Sequence, residues 1–258
     1  VAQTEGAVAD GDSRQTLDRH RAAWEAKGAV RAVYLDYHRR LVSACPKGRI
    51  LEIGGGSGHL AETAGQAVSI DIVPTPWVDV AADAHALPFA GDSFDGIVML
   101  DVLHHLERPA LFIQEAARVL KPGGRLAMIE PGITPASWLF YKLLHEEPVE
   151  MGADPFGPAD PHPDRDPFDS NQAVPTLLFK RQEHRIAFFE RCPDFTVTRC
   201  AWLSLFAYPL SGGFQRWTLL PGAVADPLIS VEDALMPFLG PLMAFRLFTV
   251  LEKKPPHE

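Results

Sequence analysis

The chain has 258 residues, 47% hydrophobic and 22% charged, a balance that excludes wholesale disorder and collagen-like repeats and suits one elaborated α/β domain. Its formal net charge of -9 opposes a phosphate backbone, so nucleic acid is not an expected partner. No stretch approaches the roughly 18 uninterrupted apolar residues of a membrane span, and Cys45, Cys192 and Cys200 form no C-x-x-C pair, which fits a reducing cytoplasm.

Val1 to Ser13 are small and polar and lack the basic-then-apolar order of a secretion signal, so residues 1–15 are expected to form a flexible arm. Leu17, Arg21 and Trp24, then Val30, Val33, Tyr34, Tyr37 and Leu41, recur at three- and four-residue steps and predict two amphipathic helices before Pro46. Strands are expected over Arg49–Ile53, Ala67–Ile72, Phe94–Leu100 and Gly124–Ile129, with helices over Gly58–Ala64 and Ala110–Leu120. This alternation implies a doubly wound, mostly parallel sheet with helices on both faces. Between Glu146 and Ser170 stand six prolines and eight carboxylates against Arg165 alone. Beyond it the pattern predicts a helix over Leu177–Glu190, a strand over Phe195–Trp202, a loop at Ser211-Gly212-Gly213, a helix over Val231–Phe238 and a last strand over Phe245–Leu251.

Glu52-Ile53-Gly54-Gly55-Gly56-Ser57-Gly58 follows the first of these strands, where glycines let a ligand approach the backbone. A dinucleotide fingerprint starting at Gly54 needs glycine where His59 stands, and no Gly-Lys-Ser/Thr follows for a phosphate loop. Glu52, at the mouth of the loop, repels a pyrophosphate and attracts an ammonium group. Asp71, nineteen residues further on, can accept hydrogen bonds from both hydroxyls of a ribose, and Ile72 beside it can pack on a purine. Together they describe an adenosine site.

The chain here resembles the class I S-adenosylmethionine-dependent methyltransferases, particularly the ubiquinone/menaquinone-type subgroup. The resemblance rests on Leu51 to Gly58, Ile70-Asp71, Asp83-Ala84 with Leu87-Pro88-Phe89, Ser93-Phe94-Asp95, Leu103-His104-His105-Leu106 and Leu120-Lys121-Pro122-Gly123-Gly124, in family order over residues 48–131. It departs from the pattern in the third glycine, Gly55, and in Pro74-Thr75-Pro76-Trp77, which stands where a helix often sits. The resemblance implies a seven-stranded Rossmann-like fold and S-adenosyl-L-methionine as cofactor. It implies that Glu52 orients the amino group, that Gly54, Gly56 and Gly58 admit the methionine moiety, and that Asp71 and Ile72 hold the ribose and purine. Asp83 and Ala84 would meet the adenine, and the Leu100 carbonyl the ammonium. Residues 16–258 then read as one domain: a helical cap (16–45), the cofactor-binding core (48–131), an insertion or lid after the fifth strand (132–193), and C-terminal strands and a helix (194–258).

Methyl transfer from a sulfonium asks the protein chiefly to align the nucleophile and exclude water, and that chemistry requires no metal. A hydroxyl acceptor gains from a base, and His104 and His105 stand at the carboxyl end of the fourth strand. Glu130, ending the fifth strand, is a second candidate for touching the acceptor, and His145 a weaker third. The acidic loop Asp154–Asp169, with His162, reads as a divalent-cation site or, better, as a lid. Seventeen of the 24 aromatic residues follow residue 130, which favours an apolar or aromatic small-molecule acceptor, with O-methylation ahead of N or C. The rival readings are a catalytically silent cofactor-binding scaffold and a nicotinamide oxidoreductase, the latter disfavoured by Glu52 and His59. Oligomeric state is left open.

Overall fold

Strand and helix alternate as the apolar runs require. The computed structural model describes residues 11–144, 147–157, 166 and 168–255. Seven strands, β1 (Ile50–Ile53), β2 (Val68–Asp71), β3 (Val80–Ala81), β4 (Phe94–Leu100), β5 (Leu120–Pro131), β6 (Phe195–Leu203) and β7 (Arg246–Lys253), form one sheet in the order β3-β2-β1-β4-β5-β7-β6. β1 to β5 are mutually parallel, and β7 runs antiparallel to both β5 and β6. The order reverses between β1 and β4, which opens a crevice at the carboxyl ends of those strands, the place where doubly wound sheets bind ligands.

The centre of the sheet is buried on both faces because β4 and β5 carry consecutive apolar side chains there rather than alternate ones. Along β4, Ile97 and Met99 face one core and Val98 faces the other; along β5, Leu126 and Met128 oppose Ala127 and Ile129 in the same way. The first core is closed by α3 (Pro109–Val119), α5 (Val174–Lys180) and α6 (Gln182–Arg191), through Phe112, Ile113, Leu178 and Phe188. The second is closed by α2 (Gly28–Ala44), α4 (Pro135–Leu144) and α7 (Ala207–Ser211), through Val33, Tyr37, Leu41, Tyr141 and Tyr208. α1 (Gly11–Ala26) and α8 (Ala225–Met243) complete that side.

Several local expectations are corrected. Residues 11–15, assigned to the arm, belong to α1, where Ser13 is buried. The stretch from Gly58 to Ala64 makes only one 3-10 turn, Leu60–Glu62, since Gly65 comes too soon for a longer helix to pay back its nucleation. The stretch Leu177–Glu190 is two helices, because Arg181 is extended (φ -85, ψ 125). The helix foreseen over Val231–Phe238 is the middle of α8, which runs through Pro237 and Pro241. Lys121 to Gly124 form a bulge within β5 rather than a turn before it, with the pairing jumping from Phe94↔Leu120 to Gly96↔Arg125.

Phe94 has no exposed surface and meets Phe89 edge-on at 5.0 Å between ring centroids. Phe94→Ala is expected to lower unfolding free energy by about 3 to 5 kcal/mol, measured by urea denaturation, since the cavity lies where strand and bulge cannot collapse. A loss below about 1 kcal/mol would show that the core there is loosely packed.

Candidate functional site

The glycine loop leaves β1 with three residues in the left-handed region, Gly54 (φ 72), Gly56 (φ 48) and Gly58 (φ 78). A Cβ on Gly54 would lie 2.3 Å from Val102, and one on Gly58 would lie 2.5 Å from Trp77, whereas one on Gly56 would make only ordinary contacts, with the Gly54 carbonyl at 3.5 Å and Leu17 at 3.8 Å. Asp71 fixes the loop: its Oδ2 accepts the Gly56 N–H at 2.7 Å and its Oδ1 the Val73 N–H at 2.9 Å. Ile72 next to it is 50% exposed, an apolar side chain left in water at the edge of the loop. Trp77 closes the other side, its indole N–H donating to the Gly56 carbonyl at 2.6 Å. Arg21 of α1 stacks over that indole at 4.7 Å and donates to the Ser57 carbonyl at 3.0 Å. The Pro74–Trp77 departure is thus a brace for the loop, and the cap takes part in it.

Glu52 lies beneath the loop, where burial, reinforced by Asp71 and Asp79 and opposed by the Ser69 hydroxyl, pushes its carboxyl up to about 7. A cation brought beside it would relieve that penalty. Asp83 accepts the His85 N–H at 2.8 Å and lies 2.7 Å from the His85 Nδ1, a contact that lowers its pKa. Ala84 is buried behind it, and Leu100 ends β4 opposite Ile129. A glycine cradle, a half-buried carboxylate short of a cation, and a strand-end carboxylate beside an exposed isoleucine fit the ammonium, ribose and purine of S-adenosylmethionine.

The second half of the site is built on Glu130. Only 1% exposed, it accepts the Val102 and Leu103 N–H groups at 2.9 and 2.8 Å through Oε1 and the His104 Nδ1 at 2.7 Å through Oε2. The other nitrogen of His104, Nε2, faces Glu147 Oε2 at 3.4 Å, longer than a good N–H···O bond. Burial opposes a charge on His104, but its hydrogen bonds and ion pairs with Glu130 and Glu147 prevail and raise it to about 9. His104 is therefore an imidazolium at neutral pH. Its neighbour His105, with ring centroids 4.2 Å apart, is pushed down to about 4 by burial and by the His104 charge. Ligand atoms of His104, His105 and Glu147 lie within 4.8 Å of one another, a cluster whose positive charge the imidazolium supplies.

Sequence reasoning missed the remaining partners. Glu147 is held by Ser170 Oγ (2.8 Å) and Gln172 Nε2 (2.6 Å), and the Asn171 N–H donates to the His104 carbonyl at 3.0 Å, so both ends of the acidic insertion close on the histidine pair. Phe156, within the insertion, is buried in the main core. Asp101, a non-glycine residue at φ 56, forms an ion pair with the buried Arg246 and lies 3.4 Å from the Tyr34 hydroxyl. Arg246 in turn lies over the Tyr208 ring at 3.9 Å, and Phe214 stacks with His20 at 4.2 Å. No periodicity signals such pairs, which join α1, α2, β4, α7 and β7 across the chain. His145 and His162 lie outside the described residues.

The His104 charge carries a stability consequence. With an ordinary value of 6.5 and a folded value of about 9, its contribution is full below 6.5 and disappears as pH rises through 9. The melting temperature should fall between neutral pH and about pH 10. That fall should flatten in His104→Gln, and equal slopes in the two proteins would remove the imidazolium from the site.

Residues 51–128 match the family model described as "Methyltransferase domain". The "Probable phthiotriol/phenolphthiotriol dimycocerosates methyltransferase 2" of Mycobacterium ulcerans is 35% identical over 123 residues, 40% of this chain and 48% of that protein. The ubiquinone biosynthesis O-methyltransferase of Xanthomonas campestris is 30% identical over 142 residues, 45% of this chain and 58% of that one. The chain spans about half the length of these curated relatives. The crystal structure of a SAM-dependent methyltransferase from Thermotoga maritima superposes with a TM-score of 0.51 at 16% identity, covering 94% of this chain and 98% of that one, which shows the shared fold. Among the described residues no helix is long and apolar enough to cross a membrane. The glycine cradle, Asp71 and the strand order thus stand in a chain whose residues 51–128 match a methyltransferase domain and whose fold is that of solved methyltransferase structures.

Proposed function

We propose that the protein transfers a methyl group from S-adenosylmethionine to a hydroxyl of a small, partly aromatic acceptor, with His104 as the residue that takes the hydroxyl proton and the cytoplasm as its compartment. The bound cofactor supplies the electrophilic methyl on a sulfonium. The observation that carries the reading is the Glu130–His104–Glu147 line: Glu130 fixes the ring through Nδ1, and Nε2 is turned to Glu147 at 3.4 Å. An acceptor hydroxyl that takes the place of Glu147 removes one of the two carboxylates raising the His104 pKa, which brings the imidazole toward the range where a base works at neutral pH. His105, neutral by burial, lines the site rather than titrating in it.

The aromatic character of the acceptor is supported by the stack of His20 and Phe214, by the tilted Tyr34–Phe214 pair at 4.9 Å, and by Tyr208, whose ring lies under the Arg246 that pairs with Asp101. Most of the other late aromatics go elsewhere: Phe179, Phe188 and Phe195 fill the core, and Phe238 is exposed. The insertion acts as a lid through its ends, where Glu147 and Asn171 touch His104.

Asp71→Ala is expected to weaken S-adenosylmethionine binding by about 1 to 3 kcal/mol, read by calorimetry, through loss of the diol partner and of the tie to Gly56. Wild-type affinity in a folded variant would falsify the cofactor assignment. His104→Gln should lower kcat about 10²- to 10⁴-fold while leaving cofactor affinity nearly unchanged. Glu147→Gln removes a carboxylate that raises the His104 pKa, so the acid limb of kcat/KM should move to lower pH. If the limb stays put and His104→Gln keeps most of its rate, alignment alone drives the reaction.

A further inference from the structure

α8 is an apolar helix that the fold leaves largely uncovered. Ala225, Glu232 and Gly240 turn inward, and Val231, Leu235, Phe238 and Leu242 recur at steps of four, three and four along one flank, all exposed, Phe238 at 77%. This spacing is the a/d seam by which one helix packs on another. α4, which packs beside α8, adds Leu139, Leu143 and Leu144, the second of these 69% exposed. At about 150 to 200 Å² for such a side chain, these seven leave on the order of 600 to 800 Å² of apolar surface in water. The largest patch on a monomer is usually about 300–600 Å², and each partner in a standard protein interface contributes about 800 Å².

We propose that this α4–α8 face is the interface between two copies of the chain, paired about a two-fold axis with the α8 stripes packed on one another. Such an interface is isologous: the stripe that needs covering is also the stripe that covers. The charge pattern agrees. From Ala234 to Met243 there is no charged residue, so two chains that each carry a net charge of -9 can meet here without opposing carboxylates. At the amino-terminal half of α8, Asp233 is already engaged by Arg40 at 2.6 Å, and Glu232 is turned inward to accept the Leu205, Phe206 and Ala207 N–H groups. A helix lying on a lipid surface carries lysine and arginine on its polar face, and α8 has neither among its 19 residues.

Analytical ultracentrifugation of the full chain at micromolar concentration should give twice the 28.3 kDa chain mass. Phe238→Asp with Leu242→Asp should return the protein to a monomer with an unchanged circular-dichroism spectrum, because both side chains are exposed and no core is opened. As a second check, Leu143→Asp on α4 alone should weaken the dimer, which distinguishes this face from any contact elsewhere. A monomer at every concentration up to tens of micromolar overturns the proposal, as does a dimer that survives the double substitution. Co-sedimentation of a monomer with phosphatidylcholine or phosphatidylglycerol vesicles would assign the face to lipid and overturn it equally.

Discussion

A single buried carboxylate organises the segment that follows β4. Glu130 sits at the last turn of the pleat in β5, where no water reaches it, and a bare carboxylate there would be costly. It is kept charged by three donors, the Val102 and Leu103 N–H groups and the His104 ring, which together hold its pKa below the usual value despite burial. Those donors belong to the segment that follows β4. The interaction therefore sets the height of that segment above the sheet, the orientation of the imidazole and, through Val102, the wall against which Gly54 must lie without a side chain. The glycine loop and the His104 ring share one support.

The helical cap is the second element on which the site depends, and polar contacts add to its apolar packing on the sheet. Arg21 reaches the Ser57 carbonyl and the Trp77 face, Tyr34 reaches Asp101, and Lys27 donates to the Gly213 and Gln215 carbonyls at 2.6 and 3.1 Å. Trp24 meanwhile stacks on His59 at 3.9 Å, directly after the glycine loop. Where a longer helix would have anchored the loop by its own first turn, here a 3-10 turn suffices because α1 and α2 clamp it from outside.

The legible parts of the sequence were those whose signal is local. Gly54 to Gly58 after a strand, Asp71 at a strand end and the histidine pair after Leu100 all announce themselves by spacing, and the sheet follows from the alternation of apolar runs. The short strand β3 carries only two residues and gives no periodicity to read. Arg181 shows how burial overrides pattern: the apolar run suggests one helix, but α5 is wholly committed to the core and α6 only in part, so the chain breaks between them. Glu147, Arg246 and Tyr34 were illegible for a different reason. Their partners are 43, 145 and 67 residues away in the chain, and long-range polar pairing leaves no mark on a single sequence.

The two halves of the site differ in how their charges are balanced, and the difference follows from what each must hold. Around His104 each charge has an opposite charge beside it within the protein: the imidazolium stands between Glu130 and Glu147, and Asp101 faces Arg246. Around Glu52 that is not so, since the charged groups that bear on it are two further carboxylates, Asp71 and Asp79. A fold keeps such an imbalance only where something else offsets it, and groups held in unfavourable charge states gather at binding sites for that reason. The negative excess lies beneath the glycine cradle, on the side where an ammonium-bearing ligand would enter, and its relief on binding is free energy that the empty protein holds in reserve.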